Sequence, residues 1–166
     1  MTVIDLCCGD GYFTAPLAQI VDGNVYALDL DPKMLELAQA EVARVGGTVK
    51  GWIEGDALDL AQFFPEQADY VLIANTFHGV PDKTELARVV DRTLKPDGRF
   101  AIVNWHKRRR EETPVLDKPR GPKTEMRMSP DDVRAVVEPA GFEMEGVIDL
   151  PPYHYGAIFR KSTSSG

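Results

Sequence analysis

Apolar positions along the chain switch between short unbroken runs and helical spacing, and each switch marks an element. Thr2 to Leu6 is β-branched or apolar apart from Asp5, which predicts a buried strand; the run breaks into Gly9 and Gly11 before Phe13, Leu17, Ala18 and Val21 recur at helical period. After the turn Asp22-Gly23-Asn24, Val25 to Leu30 supplies a second strand with Asp29 at its end. Asp31 is placed to cap a helix that has Pro32 in its first position and Met34, Leu35, Ala38, Val42 and Val45 on one stripe, and Gly46-Gly47 stops it. Thr48 to Glu54 is a third strand, with Gly55-Asp56-Ala57 as the loop behind it. Ala68 to Ala74 is apolar throughout except for Asp69, as a central strand covered on both faces should be. Asp82 and Glu85 form a capping-box pair ahead of Leu86, Val89, Val90 and Leu94; Lys95-Pro-Asp-Gly98 stops that helix, and Arg99 to Asn104 is a fifth strand.

From Trp105 to Met128 periodicity gives way to charges and prolines, a long loop that in a compact domain is usually functional or mobile. Ser129-Pro-Asp-Asp132 opens a last helix with Val133, Val136, Val137 and Ala140 buried, closed by Gly141. Glu143 to Leu150 and Tyr153 to Arg160 then read as strands joined only by Pro151-Pro152. A parallel return needs about a dozen residues or more, so the last strand must run antiparallel to its neighbour. The expected architecture is a doubly wound α/β sheet of seven strands, mostly parallel, with a terminal antiparallel hairpin. One domain over residues 1–161 accounts for all of it, and the polar stretch 162–166 is expected to be a disordered tail.

Composition narrows the partners. There are 19 Lys and Arg against 26 Asp and Glu, a formal charge of −7, which disfavours nucleic acid or an acidic membrane surface as the main partner. The two cysteines, Cys7 and Cys8, are adjacent, and the strand pleat points them to opposite faces; both are expected to be buried thiols in a reducing cytosol. No apolar stretch approaches the roughly 18 residues that cross a bilayer, so a cytoplasmic protein is expected. No metal site is expected.

A glycine turn between a buried strand and a helix brings bare backbone and helix-end N–H groups up to a ligand, so a nucleotide-like cofactor is the first hypothesis. At this point the sequence resembles the class I S-adenosylmethionine-dependent methyltransferases. The resemblance rests on Val3-Ile-Asp-Leu-Cys-Cys-Gly-Asp-Gly11, Val25-Tyr-Ala-Leu-Asp29, Glu54-Gly-Asp-Ala57, Ala68-Asp-Tyr-Val71, Leu94-Lys-Pro-Asp-Gly-Arg-Phe100 and the terminal hairpin, in family order and spacing. Within that family it most resembles the small-molecule branch that includes the ubiquinone and menaquinone C-methyltransferases. The resemblance implies a Rossmann-like sheet of order 3-2-1-4-5-7-6, S-adenosyl-L-methionine as cofactor and a small molecule as methyl acceptor.

Its site residues follow position by position. Gly9 and Gly11 admit the methionine and ribose portions of the cofactor; Asp5 orders the loop and, as the resemblance implies, approaches the cofactor's ammonium. Cys7 stands where the family has its first glycine. Asp29, 18 residues after Gly11, is placed to accept from both ribose hydroxyls. Leu30, Met34, Ile53 and Leu58 are candidate apolar walls for adenine, and Asp56 with the Ala57 N–H is placed to meet the adenine edge. Asn75 ends the fourth strand beside the first, at the switch point where open α/β sheets bind ligands. His78, three residues on, is a candidate general base, substrate contact or helix-capping histidine.

Methyl transfer from a sulfonium requires alignment and exclusion of water, and a base only if the acceptor must lose a proton. Besides His78, the candidates near the mouth are His106 and Tyr153-His154-Tyr155, with Trp105 as an apolar wall. Lys107-Arg-Arg-Arg110 is followed at once by Glu111 and Glu112 and reads better as a solvated, self-neutralising loop than as an anion site. Family members usually carry helices ahead of the first strand, which here starts within a few residues of Met1; weakened cofactor binding or self-association into a homodimer is therefore expected. Two other functions compete. A nicotinamide dehydrogenase would want a third helix-entry glycine where Thr14 stands, and a catalytically impaired cofactor-binding or interaction module is the alternative to an active enzyme.

Overall fold

In the computed structural model, which describes residues 1–163, seven stretches form one sheet: β1 (Thr2–Leu6), β2 (Asn24–Asp29), β3 (Gly51–Glu54), β4 (Ala68–Ala74), β5 (Leu94–Trp105), β6 (Phe142–Leu150) and β7 (His154–Lys161). Their order is 3-2-1-4-5-7-6; β1 to β5 are mutually parallel, and β7 runs antiparallel to both β5 and β6. The helices are α1 (Thr14–Ile20), α2 (Pro32–Arg44), α3 (Leu60–Phe63), α4 (Lys83–Thr93) and α5 (Pro130–Val137). The expected doubly wound sheet with a reversed last strand is the sheet that forms.

Register assigns the faces, because cross-strand partners share one. Ile4, Val71, Phe100 and Phe159 lie in one such row, and Leu6, Ile73, Ile102 and Ala157 in the next. Both rows are buried against Leu86 and Val90 of α4 and Val133 and Val137 of α5. Removing each of these larger side chains from water contributes roughly 1.5–3 kcal/mol before ordering entropy is set against it. The opposite face carries a smaller core of Cys8, Ala27, Leu35 and Ala38, where α2 covers β2 and β3. Ile148 and Leu150 of β6 are exposed.

Local chemistry explains the helix starts. Asp31 accepts from Lys33 N with Pro32 in the first turn, Asp82 accepts from Glu85 N, and Ser129 and Asp132 form a reciprocal capping box. Several boundaries move from the sequence reading. β3 begins at Gly51, not Thr48, since it is an edge strand that pairs only with Tyr26–Asp29. β5 begins at Leu94, which pairs with Ala68; the ladder then resumes at Arg99 opposite Tyr70, so Lys95-Pro-Asp-Gly98 is a bulge within the strand rather than a turn before it. A 3-10 turn at Ala57–Asp59 and the short α3 occupy what reads as loop, with Leu60 fully buried. Ser162 N donates to Gly141 O at 2.8 Å, so the expected tail is tied at its first residue, and residues 164–166 lie outside the described residues.

The stretch after β5 is a knit segment. It holds a two-residue antiparallel hairpin, Pro114–Val115 with Lys118–Pro119, and 3-10 turns at Arg110–Glu112 and Thr124–Met126. Tyr153 and Tyr155 donate from the terminal hairpin to Pro114 O (3.0 Å) and Met128 O (2.6 Å). Tyr155 is fully buried, so its hydroxyl bond is the inner fastening. Tyr155→Phe keeps the ring and removes the bond; urea denaturation should show a loss of about 1 kcal/mol, with faster amide exchange confined to residues 124–129.

Candidate functional site

The turn between β1 and α1 is held by a carboxylate at each side. Asp5, on β1, is 1% exposed and accepts from Thr14 Oγ1 at 2.6 Å, which ties the strand to the first residue of α1. Burial pushes the Asp5 carboxyl up to about 7; the Thr14 bond opposes that rise, and the charge of Asp29 adds to it. Asp29, at the end of β2, accepts from Gly9 N through Oδ2 and from Asp31 N through Oδ1, both at 2.9 Å. One carboxylate therefore fixes two neighbouring turns.

Three residues of the first turn take left-handed backbone: Cys7 at φ 57°, Gly9 at 55° and Gly11 at 89°. Cys7 thus holds a conformation that favours glycine, at a strain of order 1–2 kcal/mol. The two glycines serve different ends. A Cβ on Gly11 would stand 2.7 Å from Ala38 Cα, so Gly11 exists to let α2 approach, whereas a Cβ on Gly9 would meet no atom within 4 Å. The sequence reading gave both to a cofactor; close helix packing claims Gly11, and only Gly9 borders open space.

Electrostatics locates the third strand end. The Cys7 thiol is pushed up to about 12, first by burial and then by the charges of Asp29, Asp5 and Asp56. Three carboxylates, Asp5 on β1, Asp29 at the end of β2 and Asp56 after β3, thus lie close enough to Cys7 for their charges to act on it. Asp56 is exposed and accepts from Leu58 N at 2.9 Å, capping the Ala57–Asp59 turn. Ala57 and Ile53 are half-buried on the main core, Met34 is half-buried, and Leu30 is 68% exposed.

Asn75 follows β4 with φ 58°, its N–H donating to Val103 O at 2.8 Å. It lines a groove of about 250 Å³ with Tyr12, Phe13, Val103, Leu150 and His154. His154 Nε2 is buried there without a hydrogen-bond partner, and its ring lies 4.3 Å from that of Trp105. Burial, followed by the charges of His106 and Arg127, lowers the His154 pKa and leaves a neutral ring at pH 7. His106 is otherwise engaged, with Nε2 at 2.8 Å from Asp149 Oδ1. His78 is not brought to the Asn75 groove. It lines a different cavity, of about 630 Å³, because the 3-10 turn Phe77–Gly79 buries Phe77 and carries the imidazole toward α5.

Residues 4–102 match a family model described as a methyltransferase domain. The chain belongs to the methyltransferase-domain family. The match runs from β1 into β5 and contains every candidate cofactor residue from Asp5 to Asn75. A demethylmenaquinone methyltransferase of Lactobacillus johnsonii is 37% identical over 105 residues, 60% of this chain and 42% of that protein. A 2-phytyl-1,4-naphtoquinone methyltransferase of Synechococcus elongatus is 34% identical over 108 residues, 63% of this chain and 46% of its own. The chain thus spans less than half the length of these relatives. The crystal structure of a SAM-dependent methyltransferase from Aquifex aeolicus superposes with a TM-score of 0.81 at 25% identity, covering 97% of this chain and 82% of that one.

Within this methyltransferase domain the sequence pattern placed Asp5, Cys7, Gly9, Asp29 and Asp56 together, and Asn75 at the adjoining groove. It gave no priority to His154 and none to Arg127, which lies buried in the segment after β5. The division between the glycines is testable. Gly11→Ala should cost about 2–4 kcal/mol in urea denaturation, from overpacking plus backbone strain, and Gly9→Ala only about 1 kcal/mol, from strain alone.

Proposed function

We propose that the protein binds S-adenosylmethionine in the crevice at the carboxyl ends of β1, β2 and β3 and transfers its methyl group to a small-molecule acceptor. The observation that carries this reading is the convergence of Asp5, Asp29 and Asp56 around Cys7, beside the open space at Gly9. A crevice so rich in carboxylate calls for a cationic ligand, and a sulfonium amino acid joined to a nucleoside fits it. Asp29 would take the ribose with the lone pairs its two backbone donors leave free, and Asp56 the adenine edge. Asp5 would answer the ammonium. When bound, the cofactor supplies an activated methyl group whose departure leaves an uncharged sulfur.

The remaining work falls to the chain's own groups. Asn75, Tyr12 and Phe13 would align the acceptor in the adjoining groove and keep water from it. Where the acceptor must lose a proton, the neutral His154 is placed to take it at Nε2. The names of the curated relatives favour an acceptor of the quinone class. The sequence reading expected both thiols to be buried; Cys8 is and Cys7 is half-buried, and with both protonated they suit a reducing compartment, so we place the protein in the cytoplasm.

Asp5 offers a direct test. With its carboxyl near 7, a cation settling beside it lowers that value, so binding at pH 6.5 should release a proton and binding at pH 8.5 should not. Calorimetric titration with S-adenosylmethionine in buffers of different ionisation enthalpy should show this release, Asp5→Asn should abolish it, and Gly9→Ala should weaken binding by about tenfold or more by filling the open space. Saturable binding of NAD with none of S-adenosylmethionine would overturn the proposal.

A further inference from the structure

The cavity that receives His78 is lined by Arg127, Lys83 and Lys107 on its polar side and by Met126, Met128 and Val136 on its apolar side. Arg127 is 3% exposed. Its Nε donates to Pro122 O (3.1 Å) and its Nη2 to Arg120 O (2.8 Å) and Thr113 Oγ1 (3.0 Å), while the guanidinium lies 5.2 Å over the Trp105 ring. Gly121 is wedged against the same ring, where a Cβ would come within 2.7 Å. These contacts fix the guanidinium and leave Nη1 buried with no partner.

A guanidinium stays charged in proteins, and a buried charge without a counter-charge costs several kcal/mol. Arg127 has no ion-pair partner among the described residues, although the chain has an excess of carboxylates. Lys83 also has no carboxylate partner there, its Nζ donating to Val80 O at 2.9 Å. The carboxylates that reach the cavity do not supply the missing charge. Asp132 is taken by Lys107 at 2.8 Å and by the start of α5, and Glu125 is exposed. His78 Nδ1, on the same wall, is buried without a partner. The sequence pattern read Lys107–Arg110 as a solvated, self-neutralising loop rather than an anion site, and Arg108, Arg109 and Arg110 are indeed exposed, with Arg109 paired to Glu112.

We propose that this hollow is a binding subsite for a small organic anion, a carboxylate on an apolar body, with Lys83 meeting the charge, the buried and uncompensated guanidinium of Arg127 attracting it through its field, and the methionines meeting the body. Methionine side chains adapt to irregular apolar shapes, and the hollow, of about 630 Å³, is wide and open to solvent, so that a bicyclic ligand could lie along it. Trp105 carries Arg127 on its ring and packs against His154 of the groove beside Asn75, so one ring links a residue of each space. Taking that anion as the methyl acceptor rests on the transferase reading above; the anion site itself does not.

The test uses the full chain in a Trp52→Phe background, so that Trp105 alone reports, titrated with 2-naphthoate and with the neutral 2-naphthamide. Naphthoate should change the fluorescence with at least about tenfold tighter affinity than the amide, the value of one charged hydrogen bond. Arg127→Gln should erase that preference and Lys83→Gln should reduce it several-fold. Equal affinity for acid and amide overturns the subsite, as does an undiminished preference in either variant; if Arg127→Gln does not fold, Lys83→Gln alone decides. The same samples are titrated with S-adenosylmethionine. Preference for naphthoate without cofactor binding supports the subsite and defeats the transferase reading, whereas cofactor binding without that preference defeats the subsite alone.

Discussion

The carboxylate of Asp29 joins two turns that would otherwise be independent, the one after β1 through Gly9 N and the one after β2 through Asp31 N. Bonds from backbone N–H to an ionised acceptor are among the stronger hydrogen bonds a fold makes. They hold Gly9 in a left-handed conformation that keeps space open beside it. Asp5 answers from within the sheet by fastening Thr14. The crevice is therefore rigid because its acidic residues are also its struts, and the same residues give it the charge by which a cationic ligand would be chosen.

Placement of the crevice follows from the strand order. β1 is flanked by β2 on one side and β4 on the other, and chain connections leave in opposite directions from that point, which opens a gap at the carboxyl edge. Reversal of β7 has a second effect. Running antiparallel to β5, it delivers its first residue, His154, opposite Trp105 at the carboxyl end of that strand. A parallel last strand would have put its first residue at the far edge of the sheet. The groove beside Asn75 is thus assembled by strand ends from both halves of the chain.

Fold and site were legible in the sequence to different degrees. Ala68–Ala74 announces itself as an apolar run, although Tyr70, Leu72 and Ala74 on one face are only half-buried, and caps such as Asp31-Pro32 are local chemistry that short stretches fully specify. Asp5, Asp29 and Asp56 were legible because each sits at a strand end marked by a change of period. The packing role of Gly11 was not legible because its neighbour, Ala38, lies 27 residues away in sequence, and nothing local announces that a helix will close on that glycine. The direction of His78 was not legible for a related reason: three residues beyond β4 a 3-10 turn carries it toward α5 while Phe77 is buried in the core.

The segment after β5 shows where pattern reading must stop. Its charges and prolines suggest solvated loop, yet Arg127, Thr113 and two tyrosines of the terminal hairpin knit it into a wall. Burying a guanidinium is a poor way to gain stability, since well-packed apolar groups of similar volume often serve as well or better. A chain that needed only to fasten this segment had apolar residues and Tyr155 available for the purpose. That Arg127 is held by three neutral acceptors, with Nη1 left over and no carboxylate paired to it, is better explained by recognition than by support: the fold has already met the cost of orienting the cation, and an anion settling in the hollow would recover part of the missing interaction through its field without further ordering.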